Sequence, residues 1–201
     1  MGATSEMYSS LKRELSFNTH FIDWPKYQSE NSFKKIAERI IAENPINEND
    51  VVGGSSLGGM IALEIAMILN TKAVVLIGSA LRNNEINRFL TTISPLASIT
   101  PLSFVQAIAG KNEEVVSQMF SASDPDFIRS MCKYVPHWPG YLGPVEKVFR
   151  IHGKKDYIIP CPQSDCDVIE NAGHLLAITH AYECSKFLEK TKAHLTSSGF
   201  R

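Results

Sequence analysis

A serine set among glycines, a distant aspartate and a distant histidine are the residues of this chain whose types and spacing could do chemistry. The run Gly53-Gly54-Ser55-Ser56-Leu57-Gly58-Gly59 contains the pattern G-x-S-x-G, with Ser56 at its centre. Val51 and Val52 lead into it as a predicted strand, and the apolar stretch 60–69 leaves it as a predicted helix bounded by Asn70. A serine at so sharp a strand-to-helix turn sits in a strained backbone, and only small neighbours let the chain pass itself so closely. The turn also sets Ser56 at a helix N-terminus, where free N–H groups favour developing negative charge. The N–H of Leu57, the residue after the serine, is then one donor to an oxyanion. Ser55 is out of frame for the turn and receives no catalytic role. The pattern alone is a weak signal, because a glycine-rich turn between strand and helix serves packing equally well.

Asp156 and His174 strengthen it. Asp156 ends the run Ile151-His152-Gly153-Lys154-Lys155-Asp156, just after a predicted strand, and His174 ends Asn171-Ala172-Gly173-His174, just after another. Loops that follow the carboxyl ends of parallel strands gather on one edge of a sheet, the edge that also carries Ser56. A serine, an imidazole and a carboxylate brought together there can perform acyl transfer. The serine attacks a carbonyl, the imidazole takes and returns the proton, and the carboxylate holds the imidazole tautomer. Asp165 and Asp167 lie close enough in sequence to serve as the acid instead. His152 belongs to the turn that positions Asp156. His20, His137, His180 and His194 are scattered and read as surface or satisfied histidines.

The elements needed to position these residues follow from apolar spacing. Residues 20–24 (HFIDW), closed by Pro25, suit a short buried strand. Phe33, Ile36, Ala37, Ile40 and Ile41 recur at helical spacing after the candidate caps Ser29, Asn31 and Ser32, and Asn44-Pro45 ends that helix. Ala73–Ile77 is a second β-branched run, residues 148–151 (VFRI) a third, and Asp167–Ile169 a weaker fourth. Residues 179–195 close the chain as a helix. Strands alternating with helices imply an α/β fold, a mostly parallel sheet covered by helices on both faces. The stretch 81–141 breaks the alternation and reads as a helical lid inserted in a single domain spanning 1–201. Patches such as PLSFVQAIAG and EEVVSQMF form its short helices, and Phe104 and Trp138 line a substrate pocket or pack the lid on the core.

The elements GGSSLGG, IHGKKD and ENAGH together resemble the α/β-hydrolase superfamily, from about residue 17 onward with a gap across the lid. The resemblance implies Ser56 as nucleophile, Asp156 as the acid of the H-G-x-x-D turn in preference to Asp165 or Asp167, and His174 as base. It matches the order Ser, Asp, His expected for that fold. It implies a serine hydrolase acting on a small ester, thioester or related acyl compound, with esterase-like and C–C-bond-cleaving members as the nearest likeness. It also implies a central strand ahead of the helix in SEMYSSLKREL, lying between residues 20–24 and the strand leading into Ser56. The loop after that strand would supply the second oxyanion N–H, and Met1 stands where that donor belongs. The expectation is therefore a truncated hydrolase with missing N-terminal strands, and losing one oxyanion donor typically costs about 10²–10³ in kcat. The rival reading pairs residues 20–24 directly with the Ser56 strand. In a further alternative the chain keeps these residues as a non-catalytic binding or scaffold protein. An uncovered strand edge would favour pairing of two copies as a homodimer.

Composition limits the partners. Twenty basic residues against twenty-one acidic ones leave a net charge of −1, which gives no electrostatic reason to expect nucleic acid or an anionic membrane. A small, roughly neutral substrate is expected. Cys132, Cys161, Cys166 and Cys184 form no C-x-x-C pair, so no metal, no cofactor and reduced thiols in a cytoplasmic protein are the expectation. No stretch approaches the roughly 20 apolar residues that span a bilayer, and no basic-flanked apolar run marks a signal peptide.

Overall fold

A computed structural model describes residues 4–87 and 124–197. Four strands form one sheet in the order β1 (Val51–Ser55), β2 (Ala73–Ile77), β3 (Val148–Gly153) and β4 (Asp167–Ile169), and each neighbouring pair is parallel. β2 is the centre of the molecule. All five of its residues are buried, and their alternation splits the core in two. Val74 and Leu76 point into one apolar cluster, Val75 and Ile77 into the other. This is the period-two geometry of a strand covered on both faces.

Helices supply the covers. On the first face lie α2 (Phe33–Glu43) and α3 (Leu57–Leu69). Ser32 caps α2 by accepting the Lys35 N–H, Phe33, Ile36, Ala37 and Ile40 form its buried stripe, and Asn44 before Pro45 is extended. α3 is apolar nearly all round, as expected of a helix wedged between α2 and the sheet, and it ends on Asn70 in the left-handed conformation. On the second face α1 (Ser9–Glu14), α5 (Leu176–Thr179) and α6 (Ala181–Ser197) meet through Leu11, Leu176, Cys184 and Phe187. A further helix, α4 (Pro125–Tyr134), sends Phe127 and Met131 into the first cluster.

Two sequence expectations need correction. Residues 20–24 form no strand. Ile22 is 39% exposed, Asp23 instead accepts the Ser5 N–H at 2.6 Å, and Trp24 packs on Phe127 with ring centroids 5.1 Å apart. Apolar content marked the segment as sticky, but a strand also needs a neighbour, and among the described residues β1 pairs with β2 alone. Direct pairing of 20–24 with β1 is therefore absent. The closing helix is interrupted at His180 and resumes as α6. Of the lid expected over 81–141, residues 88–123 lie outside the described residues, and PLSFVQAIAG, EEVVSQMF and Phe104 with them. In the described flanks Ile86, Phe127, Met131, Trp138 and Tyr141 are all buried in the main cluster. Trp138 also donates to the buried Glu64 carboxylate at 2.7 Å, so it packs the core.

Candidate active site

Because the strands are parallel, the loops after β1, β3 and β4 open on one edge of the sheet, and each carries one candidate residue. Ser56 follows β1 directly. Its φ of 52° lies in the left-handed region, a conformation that a non-glycine residue adopts at a cost of about 1–3 kcal/mol. Close approach explains how the bend is built. A Cβ on Gly54 would lie 2.4 Å from the Gly58 carbonyl carbon, and one on Gly59 would lie 2.4 Å from Ser79 Oγ. Gly58 is different: a Cβ there meets nothing within 4 Å. The tight passage expected of all four glycines thus does not extend to Gly58. The Ser56 N–H donates to the Ile77 carbonyl at 3.3 Å, which ties the bend to β2.

Asp156 is reached from β3 through a turn in which its own N–H donates to the Gly153 carbonyl at 3.1 Å. The same turn clasps the loop after β4: Lys155 N–H donates to the Ala172 carbonyl at 2.9 Å, and a Cβ on Gly153 would lie 2.5 Å from that oxygen. This clasp is what brings Asp156 to His174. Asp156 Oδ2 accepts from His174 Nδ1 at 2.8 Å, and the Ser56 hydroxyl lies 2.9 Å from His174 Nε2. Since a carboxylate can only accept, Nδ1 carries the proton and Nε2 is free to accept from Ser56. The arrangement can move the serine proton onto an imidazole steadied from behind.

The carboxylate is fully enclosed, its side chain 0% exposed. Burial pushes its pKa upward, but the donors around it outweigh that and hold it well below the usual carboxylate range. Those donors are His152 Nε2 at 3.2 Å, His174, and the N–H groups of Ile158 and Ile159 on Oδ1 at 2.9 and 3.0 Å. His152, buried, shares its Nε2–H with the Ile159 carbonyl at 2.6 Å. It stands in the Asp156 turn as expected. Neither rival acid is at the imidazole: Asp165 accepts from Ser164 and Asp167 pairs with Lys190, at 3.0 Å each.

Leu57 opens α3, and Ser56 makes no side-chain cap bond to the helix. Among the described residues the Leu57 N–H has no acceptor. Met1 lies outside the described residues. Ser56, Leu57 and His174 border a cavity of about 970 Å³ that continues along the outer edge of β1 and past residues 17–24. Ser79 touches the bend through its hydroxyl, and the buried Arg150, paired with Glu85, backs Ser79; no spacing in the sequence singles them out.

No protein-family model and no curated protein matches the sequence. Solved structures do resemble it. A lipase-esterase related protein from Clostridium acetobutylicum superposes with a TM-score of 0.71 at 15% identity, over 94% of this chain and 90% of that one. A thermophilic esterase from Thermogutta terrifontis gives 0.69 at 15% identity, over 96% and 86%. The chain has the α/β-hydrolase fold. A meta-cleavage product hydrolase from Pseudomonas fluorescens, with a TM-score of 0.58 at 16% identity over 86% and 76%, has a similar fold. The α/β-hydrolase fold accounts for the parallel sheet, the helices on both faces and the gathering of loops at one edge.

Proposed function

We propose that the chain is a serine hydrolase that cleaves a small ester, thioester or related acyl substrate through an acyl-enzyme on Ser56. The observation that carries this reading is the unbroken line of hydrogen bonds from Ser56 through His174 to Asp156, at 2.9 and 2.8 Å. In the forward step Ser56 Oγ adds to the substrate carbonyl carbon while its proton passes to His174 Nε2. The resulting imidazolium is stabilised by Asp156, and the oxyanion by the Leu57 N–H. Collapse of the tetrahedral intermediate expels the alcohol or thiol, which takes the proton from His174. Water then repeats the sequence on the acyl-enzyme. The esterase and lipase character of the structural neighbours favours ester chemistry over other uses of the same residues. The backbone nitrogen of Met1 is proposed as a second oxyanion donor.

Fluorophosphonate labelling tests the reading. The wild-type chain should be labelled at Ser56 and hydrolyse a short-chain p-nitrophenyl ester, and Ser56→Ala should lose both. A wild-type chain that stays unlabelled, or a variant equally active, would overturn it in favour of a binding protein that retains these residues without turnover.

A further inference from the structure

We propose that Ser79 is a positioning residue for the oxyanion site, acting through the peptide that joins Ser56 to Leu57. The inference rests on the reading of Ser56 and the Leu57 N–H given above. A peptide unit is planar and trans, so its C=O and N–H point in opposite directions. Whatever fixes the Ser56 carbonyl therefore fixes the Leu57 N–H. Ser56 is the N-cap of α3 with a positive φ, so its carbonyl opens the helix ladder from a bend that is itself outside helical geometry. It accepts the Gly59 N–H of the first turn at 3.1 Å and, from outside the helix, the Ser79 hydroxyl at 2.7 Å.

Ser79 is suited to this task. It is 0% exposed, so its hydroxyl does not exchange its partner for water. It fills the notch left by Gly59, where even a methyl group would collide with it. Its backbone is held in turn: Arg150 Nη2 donates to the Ser79 carbonyl at 3.3 Å and to Glu85 Oε2 at 2.5 Å, and Glu85 Oε2 also accepts the Leu81 N–H at 3.0 Å. Donation to a carbonyl also polarises its peptide, which makes the N–H at the other end a stronger donor. Ser79 thus aims the Leu57 N–H and strengthens it without touching substrate.

The test is Ser79→Ala in the full chain, with active sites counted by fluorophosphonate titration. Per active site, kcat for a p-nitrophenyl ester should fall about tenfold, the worth of one such hydrogen bond in a transition state. KM should stay nearly unchanged. A trifluoromethyl ketone, which Ser56 converts to a tetrahedral oxyanion, should lose affinity by the factor that kcat/KM loses. A residue that served packing alone would lower the melting temperature or the active fraction and leave these constants alone, and that result overturns the proposal. Ser79→Cys, which keeps the notch filled with only a weak donor, carries the same test if the alanine variant does not fold. An active wild type with an equally active Ser79 variant removes the role of Ser79 only. An inert, unlabelled wild type removes the reading of Ser56 as well.

Discussion

Asp156 is surrounded by four donors and sealed from water, and its ionised form is worth stability as well as orientation. Its pKa lies below the ordinary value of 3.8, so the folded state binds this proton less readily than the unfolded chain does. The stabilisation is therefore complete above pH about 4 and is lost as pH falls from there through the depressed folded value. Urea midpoints followed from pH 6 downward should drop for the wild type, and Asp156→Asn should flatten that decline. The same substitution should lower kcat about 10⁴-fold, because the amide favours the wrong imidazole tautomer. Steady-state hydrolysis checks it, and a loss below tenfold would remove Asp156 from the proposed mechanism. Of these residues, Ser56, Asp156 and His174 were legible because each follows a strand within a short recognisable motif. Ser79 was not. A serine two places past a strand has no spacing that ties it to residue 56, and only the folded register of β1 on β2 brings the two together.

The bend before α3 makes a sharper demand on side-chain volume than its glycine-rich sequence implies. Gly54→Ala and Gly59→Ala should each cost about 3 kcal/mol, since the new methyl meets backbone in one case and Ser79 in the other. Gly58→Ala should be neutral, or stabilising by up to about 1 kcal/mol, because the added methyl enters open space at the start of a helix. Thermal or urea unfolding of the three variants tests this ranking, and equal losses at all three would contradict it. The sequence showed elements best where local preference and tertiary role agree. β2 was read to the residue, because a β-branched run in a doubly covered strand needs no further information. α2 was equally clear, with cap, stripe and Pro45 all in agreement. Residues 20–24 were misread because apolar content signals neither burial nor pairing by itself: none of the five is buried, and a strand depends on a partner elsewhere in the chain.

Across the whole molecule, two apolar clusters lie on opposite sides of one sheet, and the described flanks of the 81–141 segment belong to the first of them. Among the described residues no helix is long and apolar enough to cross a membrane. Among the described residues β2 and β3 have neighbours on both sides, whereas the edge strands β1 and β4 have one each. The Asp50 carbonyl and the Ser56 N–H both turn toward β2 or the residue before it. Backbone direction alternates along a strand, so the N–H groups of Val51, Gly53 and Ser55 face the other way. Protection of β1 against deuterium should accordingly read like a comb. The amides of Val52 and Gly54 should stay slow, those of Gly53 and Ser55 should exchange fast, and β2 should be slow throughout, as amide-resolved exchange can measure.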